Sequence, residues 1–249
     1  MKEVYQMMKR LFYAVLAVMI LCLPVCSAEQ ASDPEAFRTA GAIVIFGHYE
    51  QDGNPENGQE PIEWIVLEAE DGKSLLLSKY VLDSVQYHQK DMDITWEECS
   101  LRAWLNSTFL NEAFSETEQA AIILTEMDNY SVYGDGGWDS AVRDRGVSGG
   151  NDTQDRIALL SYHEAFELFF PDNEACMCTA TAYARSHGTG GYVYQNAEGE
   201  YCVPWWLRSA GATQDRAAIV SDDGGRSYCM VVFRSVGVRP ICWVDPDLI

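Results

Sequence analysis

Two short runs rich in apolar residues, 62–68 and 73–78, flank Asp71-Gly72. Runs of this length and composition read as strands, and Asp-Gly supplies the positive φ angles of a two-residue turn. This stretch therefore predicts a β-hairpin. An earlier apolar run over 42–46 predicts a first strand, separated from the hairpin by a loop rich in Gly, Asn and Pro over 51–61. From Thr95 the period changes: Leu101, Trp104 and Leu105 fall at i, i+3 and i+4, on one face of a helix. Thr95 with Glu98 has the form of a capping box, and Ser115 with Glu118 and Ser161 with Glu164 repeat it ahead of two more helices. A fourth helix is expected over 179–186, stopping near Gly188.

Beyond that point short β-branched and aromatic runs return, at 192–194, 201–207, 216–220, 228–233 and 238–244, with Asp222-Asp-Gly-Gly225 as a turn. An early hairpin, central helices and a late antiparallel meander give a single α+β domain. Between Asp128 and Asp155 lies a polar stretch of Gly, Asp, Ser and Asn interspersed with Tyr130, Tyr133 and Trp138. It reads as a functional surface loop or a mobile one.

The N-terminus has a different pattern. Lys2, Lys9 and Arg10 precede an apolar run from Leu11 to Val25, which ends in small residues at Ser27 and Ala28. That order is expected of a secretory signal peptide over 1–28, with a linker over 29–40 and the domain over 41–249. A permanent span would need about 20 apolar residues, and Pro24 falls inside this run. An uncleaved anchor or a lipid on Cys26 are the alternatives, the second weakened by Val25, since lipidation favours a small residue before the cysteine. The protein is thus expected outside the cell or on its surface, with no membrane span in the mature chain.

Charge narrows the partners. The chain carries 38 acids against 17 bases, a net charge of −21, and removal of 1–28 with its three bases and one acid makes it −23. Such a surface repels phosphate backbones and anionic lipid, so no nucleic-acid partner is expected. Of eight cysteines, six lie beyond the leader: Cys99, Cys176, Cys178, Cys202, Cys229 and Cys242. Bridges or buried thiols both fit them, and spacing does not choose.

Catalytic signatures are missing. No Gly-x-Ser-x-Gly elbow, phosphate-binding glycine loop or His-Glu-x-x-His string occurs, and abundant carboxylates make any acid–base pair uninformative. The acidic loops 128–155 and 221–225 offer oxygen ligands for calcium, without the spacing of an EF-hand loop. No metal site and no cofactor are predicted; calcium has no motif behind it.

Several strings occur in a distinctive order: Trp64-Ile-Val-Leu, Leu101-Arg-Ala-Trp-Leu-Asn106, Trp205-Trp-Leu-Arg-Ser209 and Gly237-Val-Arg-Pro240. Together they are similar to an uncharacterised family of bacterial domains, common in Gram-positive gut organisms, catalogued as a domain of unknown function. W-W-L-R-S and G-V-R-P also resemble the terminal core of C-type-lectin-like folds, including the formylglycine-generating-enzyme branch. The resemblance implies a rigid scaffold whose loops present a ligand surface; it implies no chemistry by itself.

Within these strings Arg102, Asn106, Arg208 and Arg239 stand beside Trp104, Trp205, Trp206 and Pro240. They suit a pocket for a carboxylate or sugar, or an architecture of loop-tying arginines and core tryptophans; with Trp64 and Gly237 they are taken as architecture. The expected ligand surface is Tyr133, Trp138 and Asp139 in the central stretch, together with Asp222, Asp223 and Arg226. The resulting expectation is an exported, non-enzymatic binding module for a glycan or protein ligand. The alternatives are a secreted oxidoreductase or polymer hydrolase, or a structural part of a surface assembly.

Overall fold

The computed structural model describes residues 33–129, 147–190 and 193–249. Helix α1 (Pro34–Phe37) is capped by the Asp33 carboxylate, which accepts from Glu35 N–H. It delivers Phe37, fully buried, edge-on to Phe46 with ring centroids 6.3 Å apart. The stretch expected to be a linker therefore joins the packed domain from Asp33 onward.

Strands β1 (Ile43–Tyr49), β2 (Glu60–Glu70), β3 (Lys73–Ser78) and β9 (Ile241–Val244) form one antiparallel sheet in the order β1-β2-β3-β9. The hairpin turn between β2 and β3 is as expected: Asp71 and Gly72 have φ of 50° and 77°, and Glu70 pairs with Lys73. Ile62, Trp64 and Val66 of β2 are buried and alternate with partly exposed neighbours. β3 is buried from Ser74 to Ser78, so both of its faces are covered, in keeping with its unbroken Leu75–Leu77 run.

The first long helical stretch starts later than Thr95. Helix α2 (Ser100–Trp104) runs through a π-helical turn (Leu105–Phe109) into α3 (Leu110–Ala113). Its cap is Cys99, whose sulfur accepts from Arg102 N–H. Thr95 and Glu98 instead close a turn through Glu98 N–H and the Thr95 carbonyl. The reason is Trp96, which is buried with its indole N–H held by Asp155 at 2.9 Å; the chain must turn to carry that ring inward before the helix begins. Helix α4 (Glu116–Ala121) has the full capping box of Ser115 and Glu118. Ser161 and Glu164 exchange the same pair of bonds ahead of a π-helical turn (Glu164–Phe169). Helices α5 (Asn173–Cys176) and α6 (Ala182–Ser186) follow; α6 begins after 179 because Thr179 bridges to Cys202 and Thr181 is the cap.

Strands β4 (Thr125–Met127) and β5 (Thr153–Asp155) form a two-stranded ribbon, and the expected central loop is the connection between them. Strands β6 (Trp205–Ala210), β7 (Arg216–Val220) and β8 (Arg226–Met230) make the late antiparallel meander. Two expected strands differ. Residues 193–194 lie in no named strand, and β9 leaves the meander to close the first sheet beside β3.

The edge strand β6 is covered by the G-V-R-P segment: Trp205 bridges Gly237, Trp206 N–H donates to the Gly237 carbonyl, and Gly237 N–H donates to Pro204. A Cβ on Gly237 would lie 2.1 Å from Val81 Cγ1, so only glycine permits this approach. The two strings of the resemblance are thus neighbours in space. Among the described residues no helix is long and apolar enough to cross a membrane.

Candidate functional site

The segment 83–89 leaves β3 and is fastened along its length. Val238 N–H donates to the Asp83 carbonyl, His88 N–H donates to Val231, and the Gln86 side-chain amide donates to Val232. The Ser84 hydroxyl donates to the Arg234 carbonyl. From beneath, the Trp206 indole donates to the Val85 carbonyl at 3.0 Å, and the Tyr87 hydroxyl donates to the Arg208 carbonyl at 2.8 Å. Helix α2 docks on the same segment: Leu101 N–H donates to the Tyr87 carbonyl and Ser100 N–H to His88 Nδ1. His187 and Gly188, ending α6, complete the enclosure; a Cβ on Gly188 would stand 3.5 Å from the Arg234 carbonyl.

These walls enclose a solvent-open groove of about 480 Å³. Ser84, Val85, Gln86 and Gln89 line one side, Ser100 and Trp104 another, His187 and Arg234 the rest. That volume suits a small polar ligand. Trp104 is half-buried and stacked at 5.5 Å on Phe109, which leaves part of its ring to the groove. His88, behind Ser100, is held below the ordinary imidazole pKa by burial and by Lys90, against an opposing Glu98. Its Nδ1 accepts from Ser100, so it stands as the neutral Nε2–H tautomer. His187 lies tilted against Tyr183 with ring centroids 4.0 Å apart, and its Nδ1–H donates to the Tyr183 carbonyl. Among the described residues no carboxylate lines this groove.

The described part of the sequence-predicted surface lies elsewhere. Asp222, Asp223 and Arg226 belong to the β7–β8 turn, at the far end of β8 from Arg234. Asp223 accepts from Gly225 N–H, and the Ser221 hydroxyl donates to Asp222. Arg226 pairs with Glu167 at 3.2 Å and covers the Tyr162 and Phe166 rings. A Cβ on Gly224 would sit 1.7 Å from the Asn173 carbonyl, so this turn is pressed onto α5. Tyr133, Trp138 and Asp139 lie outside the described residues.

Most residues of the family-like strings hold segments together. The Trp64 indole donates to the Phe46 carbonyl and the Trp205 indole to Cys176. Arg102 joins buried Asp155 at 2.6 Å and also donates to the Glu97 carbonyl. Asn106 donates to the carbonyls of Arg102 and Ile157 while its oxygen accepts from Arg156 and Ile157 N–H. Arg208 grips Glu164 with two nitrogens. Arg239 donates to the Ser78 carbonyl between the Trp205 and Phe170 rings, and Pro240 accepts from Ser78 N–H. Trp104, grouped with these by sequence, is the one that reaches the groove. Ser84, Gln86, Gln89, Ser100 and Arg234 escaped the sequence reading because they come from separated segments with no shared motif.

Among the described residues Glu50, Asp52 and Glu60 bring carboxylate oxygens within 4.8 Å of one another. Glu60 accepts from the N–H groups of Gln51 and Asp52, Glu50 from those of Gly53 and Asn54, and Asp52 from Asn57. The acids thereby hold their own loop in shape.

All six described cysteines are unbridged, five buried and Cys229 half-buried. Burial pushes Cys99 up to about 12 and Cys176 up to about 11, and raises the other four as well. A thiol raised in this way carries little reactive thiolate near neutral pH. Brief alkylation of the native protein, read by peptide mass mapping, is expected to mark Cys229 and spare the other five until unfolding. Bridged cysteines or rapid labelling at Cys176 and Cys178 would contradict this arrangement.

An α+β scaffold with a fastened, solvent-open polar groove is the class of protein these observations define. The chain belongs to the family described as Domain of unknown function (DUF6273), which it matches over residues 71–246. A search of curated proteins and a search of solved structures each give no match.

Proposed function

We propose that this is an exported binding module that takes a saccharide in the Trp104 groove. One observation carries the reading: a partly open indole stands beside Gln89 and Arg234, whose side-chain polar groups have no partner among the described residues, on a rigid frame. The apolar face of a sugar packs on an aromatic ring while its hydroxyls need donors and acceptors nearby. Size favours a saccharide over a protein ligand, because a stable protein partner buries about 800 Å² on each side, whereas this groove holds one or two sugar units. Export rests on the basic, apolar and small-residue order of 1–28. The likeness to C-type-lectin-like folds supports the reading through the W-W-L-R-S and G-V-R-P strings alone.

Binding is favoured over catalysis because the six thiols are raised, five of them buried, and because among the described residues no carboxylate lines the groove to pair with His187 as acid and base. The same absence removes calcium ligands from the groove, so binding is expected to persist in a chelator; its loss there would point to the Glu50, Asp52 and Glu60 loop.

The test is retention of the full chain on a glycan array beside Trp104→Ala and Trp138→Ala. Losing the indole is expected to weaken retention about tenfold or more, a stacking contribution of roughly 1–1.5 kcal/mol. Trp138→Ala is expected to bind as the parent does. A blank array, or a loss confined to Trp138→Ala, overturns the assignment to this groove.

A further inference from the structure

Arginine in this protein is almost always committed. Arg38 pairs with Asp247, Arg102 with Asp155, Arg208 with Glu164 and Arg226 with Glu167. Arg156 and Arg185 donate to backbone carbonyls, Arg216 covers the Tyr228 ring, and Arg239 is held by Ser78 and two rings. Arg234 is the exception: among the described residues its guanidinium has no hydrogen bond, ion pair or ring partner. It lies in the groove, in a chain where acids exceed bases by 21.

Its placement is fixed by neighbours that leave the side chain free. The Ser84 hydroxyl donates to its carbonyl, Phe233 N–H donates to Met230, and Gly190 N–H donates to Ser235. The backbone on both sides is therefore held, and a five-donor fork projects from a rigid base into a groove that presents Trp104 and, among the described residues, contains no acid. Leaving a guanidinium without a carboxylate in a surface so rich in carboxylates is what an anion-accepting position requires.

We infer that the ligand is an acidic saccharide, a sugar bearing a carboxylate, with Trp104 under the ring and the Arg234 fork on the carboxylate. This rests on the saccharide reading of the groove and adds the charge of the ligand to it. Planar carboxylate matches the guanidinium fork bidentately, and a charge-assisted bond of this kind is about twice as strong as a neutral one. Neutral sugars would leave the fork solvated and unused.

The experiment is calorimetric titration of the full chain with three probes: an oligogalacturonate, a sialylated trisaccharide, and the oligogalacturonate with its carboxylates reduced to alcohols. One of the acidic probes is expected to bind, identifying the source of the carboxylate, and the reduced probe to bind at least tenfold more weakly. Arg234→Gln, at an exposed side chain whose loss leaves no buried partner, is expected to bring the acidic probe down to the level of the reduced one. Arg234→Lys should recover part of the difference. Equal binding of acidic and reduced probes by both parent and Arg234→Gln overturns the charge inference and leaves the saccharide groove standing. Failure of all three probes and of the glycan array overturns the groove reading itself.

Discussion

Replacing Arg208 with alanine is expected to cost about 3–5 kcal/mol of stability, the range for removing one member of a buried ion pair. Arg208 is 4% exposed, and its guanidinium spans both oxygens of Glu164 while also donating to the Leu159 carbonyl at 2.9 Å. The same carboxylate accepts from Ser161 N–H at 2.6 Å, so one side chain closes a helix cap and an ion pair together. Alanine leaves the partly buried Glu164, 23% exposed, without its ion-pair partner and removes a tie between β6 and the 157–164 segment. The loss is read as a shift in urea midpoint at constant slope. A change below about 1 kcal/mol would place this pair with ordinary surface bridges.

The pair also sets an acid limit. Burial pushes the Glu164 carboxyl up, but the Arg208 guanidinium and the Ser161 hydrogen bonds outweigh it and hold the group below its ordinary value of 4.5. The unfolded chain therefore takes up this proton first. The stabilisation is present above about pH 4.5 and is lost as pH falls through the lower folded value. Glu164→Gln should flatten that part of the stability profile, while a profile unchanged in shape would contradict the assignment.

Asp155→Asn is expected to cost a similar amount, about 3–5 kcal/mol. Asp155 is fully buried and accepts from the Trp96 indole at 2.9 Å, Arg102 Nε at 2.6 Å and the Thr153 hydroxyl at 2.8 Å. An amide keeps the shape but loses the charge and turns a donor toward donors. Arg102→Gln, at a side chain 25% exposed, should cost less, about 1–3 kcal/mol, because Trp96 and Thr153 still serve the carboxylate. Thermal unfolding of the two variants checks the order; a reversed order would mean that Arg102, not Asp155, organises this junction.

The elements legible in the sequence are those whose signal is local. Asp71-Gly72 between two apolar-rich runs announced the hairpin, and Ser115 with Glu118 announced α4. The start of α2 was hidden because Trp96 answers to Asp155, a residue remote in sequence, rather than to the period of its own helix. β9 read as part of the late meander because nothing in 238–244 says that its partner is β3. The groove was hidden for the same reason on a larger scale: Ser84, Ser100, His187 and Arg234 meet only once four separate segments have packed. Trp104 was visible as a motif residue, yet its string could not show that its ring reaches solvent. The arginines and tryptophans of the resemblance were the easier reading, since long buried side chains in apolar runs most often hold a fold together.

The central claim is that the Trp104 groove receives the ligand, and the Trp104 indole N–H resonance tests it most directly. Assigned by its loss in Trp104→Phe and followed by two-dimensional NMR while an acidic oligosaccharide is added, that signal is expected to move saturably. The buried indoles of Trp64, Trp96 and Trp205 should stay in place. A Trp104 signal that stays fixed while the saccharide binds, or a movement centred on Trp138, would contradict the account.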